Sequence, residues 1–316
     1  KMEDIKFQTA FDVVKNIDLS GKVFLVTGGY SGLGAVTVKA LLKAKAKVII
    51  VGRNKASQDK FVQELLVNKD FEVSPNQIDA EYIMDLADLS SVSKFAKYID
   101  GKYNQIDVLI NNAGVMRTPP GKTKDGFEIQ MGTNVIGHFL LAKILAPKTK
   151  RQVWISSLAH KLMDQYPGDE SLENAPRIDF EMISMVDNNN YNSWRRYQQS
   201  KLGDILLSKQ FIIEYPNLQS YSVHPGAVQT NISRHYSIWE LLKAIPKLIK
   251  LGQLKMLKPE SGATTQVYCS VVSENVLENG AYYYNCNVEQ SSKASKNEED
   301  AKKLYDYCNE VTKSFQ

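Results

Sequence analysis

The sequence predicts an α/β fold, built on a doubly wound parallel sheet of about seven strands with helices on both faces. Short β-like runs alternate with amphipathic stretches of helix length, which is the pattern of successive βαβ units. Glycine or polar residues follow most of these runs, at the strand ends where open α/β sheets bind ligands. The predicted strands are Val23–Thr27, Val48–Val51, Tyr82–Met84, Val108–Asn111, Val153–Ser156, Ser220–Val223 and Ala281–Tyr284.

Length and composition predict one globular domain. The chain has 316 residues, of which 43% are hydrophobic and 23% charged, and these values fit a soluble globular protein. No stretch rich in proline, glycine and serine divides the sequence, and it contains no long low-complexity tract. We therefore expect residues 1–316 to form a single domain.

Charge and hydropathy exclude several classes of protein. The net charge is only +4, and the lysines are scattered rather than clustered with aromatic residues, so nucleic-acid binding is not expected. No segment approaches the roughly 18 consecutive apolar residues of a membrane span, and the first residues do not resemble a signal peptide. We expect a protein that is cytoplasmic or peripheral on an intracellular membrane.

The cysteines and histidines do not predict a metal site. Cys269, Cys286 and Cys308 form neither an even set nor a metal-ligand spacing, and the four histidines are dispersed. The simplest interpretation is reduced thiols in an intracellular compartment.

A glycine-rich turn follows the first predicted strand and opens a helical pattern from Ala35 to Leu42. Gly28 can adopt a backbone conformation that a side chain forbids, and Gly32 lets the chain approach a pyrophosphate. Gly34 lets the helix pack closely on the strand, so that the helix dipole faces the phosphates. The strand, turn and helix together predict a dinucleotide site.

Tyr197 and Lys201 are four residues apart, a spacing that places both side chains on one face of a helix. Tyrosine has an unperturbed pKa of about 10, and a nearby ammonium favours its ionised form. The pair is therefore a candidate acid/base group with its activating cation. An exposed tyrosine and lysine on a helix surface is the alternative.

Several motifs in order along the chain resemble those of the short-chain dehydrogenase/reductase family. The chain is similar in particular to the branch that holds retinol dehydrogenases and WW-domain-containing oxidoreductase, from about Phe7 to about Cys286. This resemblance implies a Rossmann-type domain. The motifs are Thr27-Gly28-x-x-x-Gly32-x-Gly34, Asp85-Leu86, Asn111-Asn112-Ala113-Gly114, Asn134-Val135-Ile136-Gly137, Ser156-Ser157, Tyr197-x-x-x-Lys201, and Pro225-Gly226 with Thr230.

The resemblance implies four catalytic residues. Tyr197 is the expected acid/base, and Lys201 is expected to lower its pKa and hold the nicotinamide ribose. Ser157 is expected to donate a hydrogen bond to the substrate oxygen, with Ser156 as the competing serine. Asn134 resembles the residue that, with Lys201, holds a proton-relaying water. Its alternative role is that of a polar residue inside a helix making a backbone contact.

The resemblance also implies the residues that hold the nucleotide. Asp85 is expected to meet the adenine ring, or alternatively to cap the next helix, although Asp88 and Ser90 are better placed for that. Thr230 resembles the residue that orients the nicotinamide amide. The full expected set is Thr27, Gly28, Tyr30, Ser31, Gly32, Leu33, Gly34, Arg53, Asp85, Leu86, Asn112, Ala113, Gly114, Tyr197, Lys201, Pro225, Gly226, Val228 and Thr230.

The end of the second predicted strand favours NADP(H) over NAD(H). Where an NAD enzyme usually presents an acid to the ribose hydroxyls, this chain has Gly52, and Arg53 follows directly. A guanidinium can hold a 2′-phosphate with two hydrogen bonds, whereas a carboxylate repels it. A solvated cation at the strand end is the alternative.

The substrate side varies most within such families. Leu158, His160, Tyr191 and Trp194 are possible lining residues. Apolar residues recur at helical spacing from Ile238 to Ile249, so we expect a mobile lid at about 231–258 and an apolar substrate. Ordinary core packing and a basic helix on a membrane surface are the alternatives for this segment.

The leading hypothesis is an NADP(H)-dependent oxidoreductase that interconverts a carbonyl and an alcohol. A catalytically idle NADPH-binding sensor and a scaffold protein are the competing hypotheses. The expected partner is a small apolar substrate, with peripheral membrane contact and a homodimer as further possibilities that the resemblance raises.

Overall fold

The computed structural model describes residues 7–68, 71–165, 178–184, 186, 191–228 and 256–316. These residues form one eight-stranded sheet covered by helices, which confirms the predicted α/β fold. Thr230 and most of the predicted lid at 231–258 lie outside the described residues.

The sheet contains seven parallel strands and one antiparallel edge strand. The strands are β1 (Val23–Thr27), β2 (Lys47–Val51), β3 (Ile78–Asp79), β4 (Ile106–Asn111), β5 (Thr149–Ile155), β6 (Gln219–His224), β7 (Tyr282–Tyr284) and β8 (Asn287–Val288). Their spatial order is β3-β2-β1-β4-β5-β6-β7-β8, so the chain direction across the sheet reverses between β1 and β4. Such a reversal opens a ligand crevice outside the carboxyl ends of the strands.

The prediction of a strand at Tyr82–Met84 is wrong. The third strand is Ile78–Asp79, which pairs with β2, and the chain leaves the sheet after it. The Gln58 amide donates hydrogen bonds of 2.8 Å to the carbonyl oxygens of Ala80 and Tyr82. Because this side chain satisfies those backbone groups, they need no neighbouring strand.

The eighth strand was not predicted from the sequence. Tyr284 pairs with Asn287, and the two residues between them form a tight hairpin turn. Asn285 and Cys286 both have positive φ angles, 50° and 61°. This conformation is that of the two-residue hairpin loop whose twist matches the twist of the strands.

Helices cover both faces of the sheet. They are α1 (Ala10–Val14), α2 (Gly32–Lys43), α3 (Lys55–Val67), α4 (Leu89–Lys102), α5 (Ile129–Met131), α6 (Gly137–Leu145), α7 (Glu181–Ser184), α8 (Ser193–Glu214), α9 (Pro259–Gly262), α10 (Thr264–Val271) and α11 (Glu298–Thr312). A π-helical turn, Gly132–Ile136, joins α5 to α6. Asp88 caps α4 by accepting a hydrogen bond from the Ser91 amide at 3.2 Å, as the sequence suggested.

Alternate side chains of the central strands enter two separate cores. In β1, Leu25 faces the core beneath α4, α6, α8 and α11. Phe24 and Val26 face the opposite core, beneath α1, α2, α3 and α10. This two-residue alternation is what a strand buried on both faces produces.

One helical stretch, Ile129–Lys148, is long and apolar enough to cross a membrane by length and composition. In the fold, 83% of its most apolar window is buried within the protein. The apolar side chains of this stretch therefore pack in the core beside α4 and α8.

Candidate active site

The carboxyl ends of β1, β4, β5 and β6 bring most of the predicted site residues to one edge of the sheet. Thr27 ends β1 and Asn111 ends β4, and these two strands are neighbours. Ser156 follows β5 and Pro225 follows β6 at the adjacent positions. The predicted nucleotide residues and the predicted catalytic residues therefore share one crevice.

The glycine turn after β1 has the backbone that the sequence predicted. Gly28 and Gly32 have φ angles of +64° and +52°, a region that favours glycine. A Cβ on Gly34 would lie 2.4 Å from the Gly28 carbonyl oxygen, so a larger residue would push α2 off the strand. The glycine at position 34 thus allows α2 to pack closely on the end of β1.

The first turn of α2 is suited to hold an anion. Ser31 occupies the N-cap position, but its side chain accepts no hydrogen bond from the helix. The backbone N–H groups at a helix start carry partial positive charge and point outward along the axis. A pyrophosphate can therefore bind at this end of α2 without displacing a side-chain cap.

The Thr27 hydroxyl joins the ends of β1 and β4. It accepts hydrogen bonds from the amides of Asn112 and Ala113, each at 2.9 Å. In addition, the Asn112 side chain donates to the Thr27 carbonyl oxygen at 2.8 Å. These contacts fix the floor of the crevice, and they explain why a threonine precedes the first glycine.

His138 extends this network, and sequence reasoning missed it. Its Nδ1 is 2.9 Å from the Asn134 carbonyl oxygen, which can only accept, so Nδ1 carries the proton. Its Nε2 then accepts a hydrogen bond from the Thr27 hydroxyl at 2.9 Å. Burial lowers the pKa of His138 to about 3, so the ring is neutral near pH 7. Its contact with Thr27 spans 111 residues, so the sequence held no local signal for it.

Asn134 lies in the π turn and makes the backbone contact that the alternative interpretation expected. Its side chain exchanges hydrogen bonds of 2.9 Å with the amide and carbonyl of Val115. It also donates to the Ser200 hydroxyl at 3.0 Å. A Cβ on Gly114 would lie 3.3 Å from Asn134 Oδ1 and 3.8 Å from Lys201 Nζ, so these three residues converge.

Tyr197 and Lys201 are buried inside the protein, so the alternative of an exposed surface pair is wrong. They lie on the first half of α8 and are 6% and 5% exposed. Lys201 Nζ is 5.7 Å from the centre of the Tyr197 ring. The Trp194 ring stacks on the Tyr197 ring, with 5.7 Å between the two ring centres.

The pKa of Tyr197 is raised above its usual value, although the Lys201 charge acts in the expected direction and lowers it. Burial raises the pKa of the phenol most strongly. The Lys201 charge and a hydrogen bond from Ser157 act in the opposite direction, and Asp204 raises the pKa further. The phenol is therefore the stable form near neutral pH in this structure.

Ser157, rather than Ser156, faces Tyr197. The Ser156 hydroxyl donates to the Lys201 carbonyl oxygen at 2.7 Å and is buried against α8. The Ser157 side chain hydrogen-bonds with Tyr197 and is half-buried. Of the two serines, Ser157 is thus the one placed to meet a substrate.

Asp204 is the second residue that sequence reasoning missed. Its Oδ2 lies 2.8 Å from Lys201 Nζ, and both side chains are buried. Burial raises the pKa of the Asp204 carboxyl to about 6, and Lys201 limits the rise. The charges of Asp204 and Tyr197 hold the pKa of Lys201 above its usual value although burial alone would lower it. The pair is therefore ionised near pH 7.

Arg53 is exposed at the end of β2, beside the glycine turn. The ring of Tyr30 covers Gly52, because a Cβ on that glycine would lie 2.3 Å from Tyr30 Cε1. The Tyr30 hydroxyl accepts a hydrogen bond from the Asn54 amide at 3.3 Å. An acidic side chain at position 52 would therefore clash with Tyr30.

Asp85 and Leu86 lie at the entrance to α4. The Asp85 carboxylate accepts a hydrogen bond from the Ala87 amide at 2.9 Å, and the Asp85 amide donates to Ser91 Oγ at 3.1 Å. Leu86 is buried against the start of α6, where a Cβ on Gly137 would lie 2.4 Å from its carbonyl oxygen. Asp85 thus orders its own turn, and Asp88 is the helix cap.

The segment after β6 packs beside α9. Gly226 has a φ angle of +86°, and a Cβ there would lie 2.7 Å from Leu257 Cδ1. Val228 packs on Gly262 and forms an isolated bridge with Leu257. Pro225, Gly226 and Val228 thus follow the carboxyl end of β6, and their binding of a nucleotide stays a prediction.

The proposed lining residues differ in position. His160 is fully buried, and its ring bonds the Ser157 carbonyl and the Ser292 amide, so it does not line an open pocket. The Tyr191 hydroxyl donates to Glu128 at 2.7 Å. Trp194 stacks on Tyr197, so it remains a candidate lining residue beside the expected acid/base group.

A doubly wound sheet with a glycine turn after its first strand defines a Rossmann-type α/β protein. The short-chain dehydrogenase family model matches residues 22–161. Human retinol dehydrogenase 11 is 33% identical over 301 residues, covering 92% of this chain and 85% of the human one. Mouse retinol dehydrogenase 14 is also 33% identical, covering 91% and 85%. This chain therefore belongs to the short-chain dehydrogenase/reductase family, in the retinol dehydrogenase branch.

Solved structures agree with this assignment. An uncharacterised protein from Mycobacterium paratuberculosis superposes with a TM-score of 0.68 at 27% identity, covering 95% of this chain and 97% of that one. A 3-ketoacyl-(acyl-carrier-protein) reductase from Brucella melitensis, complexed with NADH, gives 0.59 at 20% identity, covering 84% and 96%. The second likeness supports the fold alone. Family membership makes the chain an oxidoreductase of a family that uses NAD(H) or NADP(H).

Proposed function

We propose that this chain is an NADP(H)-dependent oxidoreductase that interconverts a carbonyl and an alcohol on an apolar substrate, with residues 1–316 acting as one domain. The observation that carries the proposal is the buried Tyr197 beside Lys201, with Ser157 in contact with the phenol. A buried ionisable pair in a crevice is where acid/base chemistry is expected.

Each of these residues has a role in the proposed reaction. The bound nicotinamide nucleotide supplies or accepts the hydride. In reduction, the Tyr197 hydroxyl donates its proton to the substrate oxygen, and in oxidation the phenolate takes it back. Ser157 donates a hydrogen bond to the same oxygen as negative charge develops there. Asn134 and His138 hold the π turn against the crevice floor.

The residues present fit a dinucleotide. The glycine turn leaves room for the backbone to approach a pyrophosphate, and α2 starts with an uncapped anion site. Lys201 and Gly114 adjoin the expected nicotinamide end. Besides these, the proposed binding residues are Thr27, Gly28, Tyr30, Ser31, Gly32, Leu33, Gly34, Arg53, Asp85, Leu86, Asn112, Ala113, Tyr197, Pro225, Gly226, Val228 and Thr230.

The surroundings of Arg53 support NADP(H). Tyr30 occupies the space above Gly52 that an acidic side chain would need to reach the ribose hydroxyls. The exposed Arg53 guanidinium can hold a 2′-phosphate, which carries negative charge that NAD(H) lacks.

We predict that Arg53→Ala narrows the preference for NADPH over NADH. The variant loses a charged hydrogen bond to phosphate, worth about tenfold or more in NADPH affinity, while NADH affinity changes little. The affinities for NADPH and NADH are measured as dissociation constants, from the change in protein fluorescence when each nucleotide binds. Lys60→Ala is the matched control, because it also removes one exposed positive charge, farther along α3. Equal wild-type affinities for the two nucleotides would contradict the assignment.

The apolar substrate class rests on the relatives that are named retinol dehydrogenases and on the aromatic Trp194 beside Tyr197. A panel of aldehydes, ketones, retinoids and steroids, followed by NADPH absorbance, tests the proposal. We expect turnover of an apolar member. Tight NADPH binding with no turnover of any member would instead favour the idle sensor.

A further inference from the structure

Asp204 forms a buried ion pair with the lysine of the proposed site. It lies one helical turn after Lys201 on α8, and 2.8 Å separates its Oδ2 from Lys201 Nζ. Water reaches neither side chain to a significant extent, since Asp204 is 2% exposed and Lys201 is 5% exposed. A charge pair this deep in a protein is rare unless it is closely matched.

The pair fixes the direction in which the ammonium points. Lys201 Nζ donates to Asp204 and also to the Ile155 carbonyl oxygen, at 2.7 Å, on β5. An ammonium has three donors, so these two acceptors use two of them. Lys201 Nζ also lies 5.7 Å from the centre of the Tyr197 ring, and Gly114 adjoins both this Nζ and Asn134.

The pair also alters the charge that Tyr197 experiences. The Lys201 ammonium lowers the pKa of the phenol, and the Asp204 carboxylate raises it. Among the described residues, the neighbouring groups on other elements are Ser157 and the neutral His138 on α6, whose pKa the Lys201 charge helps to lower. Asp204 is thus the negative charge that offsets Lys201 in this crevice.

We propose that Asp204 is a positioning residue that anchors the Lys201 ammonium and opposes the effect of its charge on the Tyr197 phenol. The proposal rests on the proposed role of Tyr197 as acid/base. Its consequence is kinetic. Alcohol oxidation, which needs the phenolate, becomes fast at a higher pH than it would without the Asp204 charge.

The ionisation of Tyr197 can be measured without a substrate. Tyrosinate absorbs in the near ultraviolet, and subtracting the titration of Tyr197→Phe from that of the parent isolates this one phenol. We expect Asp204→Asn to move the isolated step to lower pH by about one unit or more, a tenfold change in the ionisation constant. The amide oxygen can still accept from Lys201 Nζ, so the ammonium keeps a partner while the opposing charge is lost.

A matched control keeps the test decisive. Asp300→Asn makes the same change at a buried carboxylate on α11 and should leave the Tyr197 step in place. An unmoved step in Asp204→Asn, or an equal movement in Asp300→Asn, would overturn the proposal.

Kinetics then separate this inference from the proposed function. With an active substrate, the pH at which oxidation reaches half its maximal rate should fall in Asp204→Asn by the same amount as the tyrosinate step. If the absorbance step moves but no carbonyl or alcohol in the panel reacts, the charge role of Asp204 stands and the proposed reaction fails.

Discussion

Tyr197→Phe is expected to lower turnover by about 100-fold or more, because positioned acid/base catalysis contributes that much and phenylalanine has no transferable proton. The ring itself should stay in place. It is buried and stacked on Trp194, and phenylalanine preserves both contacts. Initial rates of NADPH oxidation with a saturating carbonyl substrate measure the effect.

NADPH affinity and thermal stability of Tyr197→Phe should remain close to those of the wild type, since the variant loses one hydroxyl. Tyr98→Phe is the matched control, because it removes a tyrosine hydroxyl from the surface cluster with Lys102 and Glu81. This control should retain full activity. More than about a tenth of wild-type activity in Tyr197→Phe would show that another group moves the proton.

Lys201→Ala is expected to lose both activity and nucleotide binding, and also to destabilise the fold by about 3–5 kcal/mol. The substitution leaves the Asp204 carboxylate buried without its partner, and burial then forces it to take up a proton. Chemical denaturation near pH 7 measures the loss in the free energy of unfolding.

The double variant Lys201→Ala with Asp204→Ala separates the two causes of that loss. With the unpaired carboxylate removed, we expect it to recover part of the lost stability but none of the activity. An equal free energy of unfolding in the wild type and Lys201→Ala would contradict the buried pair as described.

The sequence was a good guide wherever local pattern decides structure. The glycine turn, the strand before it and the helix after it are set by neighbouring residues, and all three are as predicted. The third strand was not, because Gln58 satisfies the backbone of the segment that carries the more strand-like residues, Tyr82–Met84. The β8 hairpin depends on two positive φ angles at Asn285 and Cys286, a weak signal in sequence.

Burial and long-range contacts explain what sequence reasoning missed in the site. A tyrosine and a lysine one turn apart look the same on an exposed helix and on a buried one. The structure shows that α8 is enclosed, and this is why burial governs the pKa of Tyr197. His138 contacts Thr27, which is 111 residues away, so no local pattern could reveal the link. Asp204 lies three residues after Lys201, so the sequence alone indicates that the two side chains can meet on a helix. Its importance depends on how deeply both side chains are buried, which the sequence does not show.

Some expectations stay predictions. These are the lid at 231–258, the homodimer and the cellular location. The nucleotide contacts and the catalytic roles are proposals that the variants above address.

The most direct test follows the hydride itself. The wild-type protein is supplied with NADPH that carries deuterium at both C4 positions of the nicotinamide, together with the most active carbonyl of the panel. Mass spectrometry should find one deuterium on the former carbonyl carbon of the alcohol, and Tyr197→Phe should form this product at about a hundredth of the rate or less. An alcohol without deuterium, or labelled alcohol formed by Tyr197→Phe at the wild-type rate, would contradict hydride transfer with Tyr197 as the acid.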